Sequence, residues 1–433
     1  MTALLDRHRA VMPSWLALYY REPIALVRGE GRRVWDAEGR AYLDFFGGIL
    51  TTMNGYAVPE IVEAIREQAG RMLHTSTLYL IESQVELAEE IARLSGIPDA
   101  KVFFTNSGTE ANDAALLLAT AYRRSNQVLA VRHSYHGRSF ASVSITGARS
   151  WSPSSLSPVQ VSFVHGGYRY RSPFGHLPDD EYIDACVWDL RNVIEVTTAG
   201  DVACLIAEPI QGVGGFVTPP DGFFGRMKHV LDETGILYVS DEVQTGWGRT
   251  GEHFWGYQAH GLVPDILTFA KGIGNGLAIG GVVARAGIMD CLQANSISTF
   301  GGNPLATTGA LANLRHLLAN DLQANALEVG RHLRVRIDGL ARRCALIGDV
   351  RGKGLMIGIE LVRPGGKHPD AAATGAVMEE ARSHGLLLGR GGHLGNVIRI
   401  APPMSLTREE ADEGFETLAK ALEKVAASGT EAA

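Results

Sequence analysis

Ile266-Leu267-Thr268-Phe269-Ala270-Lys271-Gly272-Ile273-Gly274-Asn275-Gly276 is an apolar run that stops at a lysine and opens into glycines. The run reads as a buried strand and the glycines as a loop, so the amine of Lys271 is delivered at a strand terminus with little bulk around it. The same pattern recurs upstream. Ile236-Leu237-Tyr238-Val239-Ser240 ends in Asp241-Glu242 and the polar turn Val243-Gln244-Thr245-Gly246. Val102-Phe103-Phe104 reads as a strand, Asn106-Ser107-Gly108-Thr109 as a tight turn, and the alanine- and leucine-rich residues 110–122 as a helix. Val128-Leu129-Ala130-Val131 leads into Ser134-Tyr135-His136-Gly137, and Cys204-Leu205-Ile206-Ala207 into Glu208-Pro209-Ile210-Gln211-Gly212. Five strand ends carrying polar groups imply a crevice at the carboxyl edge of a parallel sheet, the usual ligand position in open α/β folds. Strands and helices alternate from roughly residue 51 to 320, which predicts a mostly parallel central sheet covered by helices on both faces.

The residue types at these ends point to a chemistry. A carboxylate and an amine on neighbouring strand ends suit pyridoxal phosphate: the lysine can form a Schiff base with the aldehyde while the aspartate keeps the pyridine nitrogen protonated. The turn at 106–109 presents backbone N–H groups and hydroxyls at a helix N-terminus, where the dipole favours an anion. Tyr135, beside a glycine, can lie flat on a cofactor ring. Each feature alone has an ordinary explanation. Lys271 would be a solvated loop residue, Asp241-Glu242 a cap or turn, Ser107 or Thr109 a helix cap, and Tyr135 a core tyrosine with His136 satisfied beside it. Their number in one chain favours the chemical reading.

These motifs, with Ala270-Lys271-Gly272 and Thr299-Phe300-Gly301-Gly302-Asn303-Pro304, match in order those of another group of enzymes. The chain resembles the class III aminotransferases of the fold type I pyridoxal phosphate enzymes, from about residue 23 to the last helix. His253-Phe254-Trp255-Gly256 and the 348–358 stretch are similar to the alanine-glyoxylate aminotransferase 2 branch in particular. The resemblance implies that Lys271 is the Schiff-base lysine, Asp241 the partner of the pyridine nitrogen and Gln244 a neighbour of the ring hydroxyl. It assigns Ser107, Gly108 and Thr109 to the phosphate, stacks Tyr135 on the ring, and sets His136 and Glu208 among the cofactor-binding residues. It also implies a homodimer in which Thr299 reaches the phosphate of the second subunit, and makes Arg399 the binder of the substrate carboxylate. The expected reaction is ping-pong: Lys271 moves a proton between the substrate α-carbon and the cofactor, a keto acid leaves, and a second keto acid takes the amino group.

Composition is compatible with this. A chain of 433 residues, 45% hydrophobic, can bury a large core. Its expected parts are an N-terminal segment, 1–50, packing with a small domain; a large cofactor-binding domain, 51–320; and a smaller α+β domain, 321–433. A net charge of −7 gives no electrostatic reason to expect nucleic acid or an anionic membrane. The four cysteines lack metal-like or redox-pair spacing, so a reduced, cytoplasmic compartment and no metal are expected. The N-terminus carries charges and has no long apolar stretch, so neither a signal peptide nor a membrane span is expected. Residues 150–180, rich in serine, proline, glycine and aromatics, read as a long loop, and residues from 428 onward as a frayed tail.

Substrate class is read from Arg399 and Val213. Arg399 lies in the apolar run Val397-Ile398-Arg399-Ile400, and its planar fork suits a carboxylate, although a structural ion pair would also account for it. Where ornithine and 4-aminobutyrate members of the family have a glutamate that masks this arginine, Val213 follows Gly212 here. Small monoacids such as alanine, β-alanine, pyruvate and glyoxylate are therefore expected. One departure is Gly55-Tyr56-Ala57-Val58-Pro59, where many members have Gly-His-x-His-Pro; it leaves room for a specialised amine donor. Alternatives on the same scaffold are a phospho-lyase, a decarboxylating transaminase and, outside catalysis, a pyridoxal-phosphate-binding sensor domain.

Overall fold

Six strands run one way and one runs against them in a seven-stranded sheet ordered Ala100–Thr105, Gly280–Arg285, Ile266–Phe269, Leu237–Asp241, Cys204–Ala207, Gln127–Val131, Gln160–Val164, as seen in a computed structural model that describes residues 2–430. Only Gly280–Arg285 is antiparallel to its neighbours. Both faces are covered, and the period-two alternation of the strands decides what each side chain meets. Leu129, Val131, Leu205, Ala207 and Tyr238 pack on the helices Asp179–Thr197 and Phe223–Thr234. Val128, Ala130, Cys204, Ile206, Leu237 and Val239 pack on the opposite face, against Ala115, Leu116 and Ala119 of the helix Gly108–Arg123. With both faces buried the strands are apolar throughout, which is why they read as continuous runs.

The two ends of the chain build the remaining sheets. The hairpin Arg33–Asp36 and Ala41–Asp44, with Leu26–Glu30 beside it, is extended by a parallel strand from far downstream, Leu386–Leu387. A second, antiparallel sheet is ordered Ile347–Lys353, Met356–Leu361, Val397–Ile400, Gly389–Gly391. Local signals fix the helix starts: Pro59 sits in the first turn of Pro59–Arg71, and Asn303 caps Pro304–Ala319 by accepting the Ala306 N–H at 3.0 Å.

Three sequence expectations need correction. The 150–180 stretch is not a continuous loop: Gln160–Val164 forms the sheet's edge strand, a five-residue run too short and too interrupted by Gln160 and Ser162 to stand out from its surroundings. The helix expected from Glu110 begins at Gly108, because Ser107 takes the cap position and Gly108 and Thr109 form its first turn. The last helix, Arg408–Thr430, runs through Ser428, so the tail expected there is helical to 430, and 431–433 lie outside the described residues. In the last third, Leu386–Leu387 and Gly389–Gly391 join different sheets.

Trp255 is fully buried, donates its indole N–H to the Leu94 carbonyl at 2.8 Å and packs on Trp247 at 4.6 Å. Trp255→Ala is expected to cost about 3–5 kcal/mol, the range for a large buried aromatic, read as a lowered midpoint of denaturant unfolding; a loss below ~1 kcal/mol would mean the site collapses without a cavity.

Candidate active site

The strand Leu237–Asp241 delivers Asp241 to the carboxyl edge of the sheet, 4% exposed. Its Oδ2 accepts from Asn112 Nδ2 and meets His136 Nδ1, both at 2.8 Å, and its Oδ1 accepts the Val243 N–H at 3.2 Å. Asn112 is held in turn: its Nδ2 also donates to the His136 carbonyl at 2.7 Å, and its Oδ1 accepts from Thr268 Oγ1 at 2.7 Å. Helix 108–123 and three strand ends thus converge on one carboxylate.

Lys271 lies two residues past Phe269 on the adjacent strand, with φ 49°. A non-glycine residue in the left-handed region is uncommon, and such strain clusters at functional sites. The loop behind it is pinned by Asn313, whose Nδ2 donates to the Gly272 and Ile273 carbonyls at 2.9 Å, and by Asn275, which exchanges hydrogen bonds with the Asn54 N–H and the Gly55 carbonyl. The departing 55–59 segment is therefore attached to the lysine loop, and Tyr56 is fixed by donating to Asp44 Oδ2 at 2.6 Å. No hydrogen bond or ion pair among the described residues engages the Lys271 amine. Burial lowers its pKa from the ordinary lysine value, against Asp241 and Glu208, which raise it, and with Arg399, which lowers it. An amine so shifted is more readily a base.

A cavity of about 190 Å³ lies between these groups. It is lined by Gly108, Thr109, Asn112, Tyr135, His136, Gly137, Arg138, Glu208, Asp241, Val243, Gln244 and Lys271. Ser107 caps the helix at the cavity's edge, its side chain accepting the Glu110 N–H at 3.3 Å, while the N–H groups of Gly108 and Thr109 have no acceptor among the described residues. Thr109 Oγ1 accepts from the Arg138 and Ser139 N–H groups at 3.1 and 3.0 Å, which brings the 137–139 turn over the helix start. Tyr135 meets Trp151 edge-on at 5.3 Å. Glu208 accepts the Tyr135 N–H at 2.9 Å and the Gly212 N–H at 2.8 Å, and burial pushes its carboxyl up to about 7.

Pyridoxal phosphate fits this donor set. The cavity offers free N–H groups and a dipole for a phosphate, an aromatic wall at Tyr135, a hydrogen-bonded carboxylate at Asp241, and two buried polar atoms without partners among the described residues, Gln244 Oε1 and His136 Nε2. When bound, the cofactor supplies the electron sink for a carbanion. The chain supplies an amine to move the proton and an anion to match the ring's positive charge.

Besides Ser107 at its edge, two expected residues lie outside the cavity. Arg399 stands on Val397–Ile400, buried, with Nε donating to the Arg390 carbonyl at 3.1 Å and Nη1 to the Gly212 carbonyl at 3.2 Å. Phe46 and Phe216 flank its guanidinium at 4.8 and 5.4 Å. It forms no ion pair among the described residues, so the structural ion pair considered from the sequence is not what holds it. Thr299 is exposed and does not reach its own chain's cavity; the neighbouring Ser298 is tied to Asn106.

Asn112, Thr268, Arg138, Phe46 and Phe216 were not singled out in the sequence. Asn112 carries a usable signal, a buried amide in the apolar face of an alanine-rich helix, since such a group needs partners.

Comparison with known proteins agrees with this geometry. The family model for class-III aminotransferases matches residues 18–422. Among curated relatives, alanine-glyoxylate aminotransferase 2 homolog 2, mitochondrial, of Arabidopsis thaliana is 40% identical over 428 residues, covering 98% of this chain and 87% of the relative. Among solved structures, an (S)-enantioselective omega-transaminase from Thermomicrobium roseum superposes with a TM-score of 0.90 at 35% identity, covering 98% of each chain. An amine transaminase from an uncultivated Pseudomonas species, solved with pyridoxal phosphate bound, gives 0.89 at 30% identity, covering 96% of this chain and 98% of the other. The chain thus belongs to the class III aminotransferases, with the fold type I architecture and pyridoxal phosphate as its cofactor.

Proposed function

We propose that the enzyme transfers the amino group of a small amino acid such as alanine or β-alanine to a small keto acid such as pyruvate or glyoxylate, in the cytoplasm and as a homodimer. The observation that carries the substrate class is the state of Arg399: a buried guanidinium held by carbonyls, the Tyr19 hydroxyl and aromatic faces, with no carboxylate among the described residues paired to it. Burial lowers its pKa, and a desolvated cation of this kind gains most from an incoming anion that presents two oxygens. Val213 leaves no acidic side chain to occupy it.

In this reading Lys271 is the amine that carries the proton, Asp241 the anion opposite the ring nitrogen, Tyr135 the ring's wall and Gln244 its polar neighbour. The N–H groups of the 107–109 turn take the phosphate. His136 orients Asp241 through Nδ1, and Glu208 positions the Tyr135 backbone. The dimer is supported by exposed apolar side chains on two segments that touch. Leu73, Leu78, Tyr79 and Leu80, the last 98% exposed, lie on one, Ile297 and Phe300 flank Thr299 on the other, and His74 meets the Phe300 ring at 5.0 Å. Exposed apolar groups of this kind mark protein interfaces.

Lys271→Ala is expected to lower the transamination rate by about 10²–10⁴-fold or more while leaving the fold intact; multiple turnovers at the wild-type rate would refute the assignment. For Arg399→Ala the informative comparison is alanine against isopropylamine, which replaces the carboxylate by a methyl group. The variant is expected to lose about 2–4 kcal/mol of transition-state binding with alanine and little with isopropylamine, and the wild type is expected to use pyruvate or glyoxylate better than 2-oxoglutarate. Equal losses, or 2-oxoglutarate as the best acceptor, would sink the substrate reading. Assembly is tested by mixing inactive Lys271→Ala and Thr299→Ala subunits: activity recovered in the hybrid is expected, whereas a fully active monomer at dilution would refute shared sites.

A further inference from the structure

Arg399 is anchored by two ring faces, the Tyr19 hydroxyl and two carbonyls, and one of these, the carbonyl of Gly212, ties its aim to the cofactor cavity. The rings of Phe46 and Phe216 hold the guanidinium without fixing its rotation, and the Arg390 carbonyl takes only Nε. The outer nitrogen Nη1 is directed by the Gly212 carbonyl. The Gly212 carbonyl also accepts the N–H groups of Gly215 at 3.1 Å and Phe216 at 3.4 Å, which close the 212–216 turn. A Cβ there would stand 2.2 Å from the Gln244 amide, so any side chain at this position would have to displace that amide.

On its N–H side Gly212 is held by Glu208. One oxygen of this buried carboxylate accepts the Gly212 N–H at 2.8 Å, and the other accepts the N–H of Tyr135 at 2.9 Å. A single side chain lining the cofactor cavity therefore fixes both the cavity's aromatic wall and the residue whose carbonyl aims Arg399. Hydrogen bonds from N–H to a carboxylate are about twice as strong as neutral ones, and out of reach of water they have little competition. We propose that Glu208 is a positioning residue for substrate-carboxylate recognition, acting on Arg399 through Gly212, so that occupancy of the cofactor cavity and alignment of the carboxylate site are mechanically linked. The inference rests on Arg399 being the carboxylate binder.

The test uses the holoenzyme and follows the half-reaction by cofactor absorbance in single turnover, which registers slow donors. Alanine and isopropylamine are compared in Glu208→Ala, in the volume-conserving Glu208→Gln, in Arg399→Ala, and in the Glu208→Ala/Arg399→Ala double variant. Glu208→Ala is expected to raise the half-saturating alanine concentration about tenfold more than that of isopropylamine, with Glu208→Gln shifting it in the same direction by less. In the Arg399→Ala background the alanine-specific part of the effect is expected to vanish, because a residue that acts through another has nothing left to act on. The proposal is overturned if both Glu208 variants affect the two donors equally, or if the alanine-specific loss persists without Arg399. Should Arg399→Ala itself fail to discriminate between the donors, the carboxylate reading falls; should it discriminate while the Glu208 variants do not, only the present inference falls.

Discussion

A carboxylate enclosed at the floor of an apolar sheet is costly unless its oxygens are hydrogen-bonded, and the arrangement around Asp241 follows from that requirement. Asn112, His136 and the Val243 N–H satisfy it, and each comes from a different element. The helix 108–123 must lie across the strand ends for Asn112 to reach, which also sets the helix N-terminus and its unpaired N–H groups at the cavity. Thr268 fixes which end of the Asn112 amide faces Asp241, because its hydroxyl occupies the oxygen and leaves the nitrogen for the carboxylate. Charge, anion site and lysine are thereby referred to one frame.

Burial sets the electrostatics in two directions. It lowers the pKa of Lys271 and raises that of Glu208, so two groups of opposite charge in one cavity each have their charged form disfavoured. Glu242, next to Asp241, is also pushed up to about 7 by burial, yet it faces away from the cavity and accepts the Gly256 and Tyr257 N–H groups at 2.9 and 2.7 Å. Adjacent residues on a strand point to opposite sides, so of the Asp241-Glu242 pair one serves the site and the other secures the turn that carries Trp255.

Arg399 belongs to the sheet built near the C-terminus, whereas the cavity belongs to the central sheet, and the two meet through the Gly212 carbonyl. The meeting is polar but uncharged. A salt bridge there would have satisfied the guanidinium permanently; carbonyls, the Tyr19 hydroxyl and aromatic faces hold it without a paired carboxylate among the described residues.

The sequence by itself determined the central sheet and the residues at its strand ends. Lys271, Asp241, Tyr135 and Glu208 were legible because a strand buried on both faces is a continuous apolar run, and a polar group at its end breaks that run visibly. The edge strand Gln160–Val164 was not, since a strand with one partner and a partly exposed face has no such contrast. Local chemistry also cannot reveal a partner 129 residues away: Asn112 meets Asp241, and Gly212 meets Arg399, only because the sheet order brings them together. The pairing of Leu386–Leu387 with Ala41–Asp44 is of the same kind. Hydrogen-bond direction, burial and the pKa shifts that follow from them depend on distances between elements, and those are properties of packing, which no window along the chain contains.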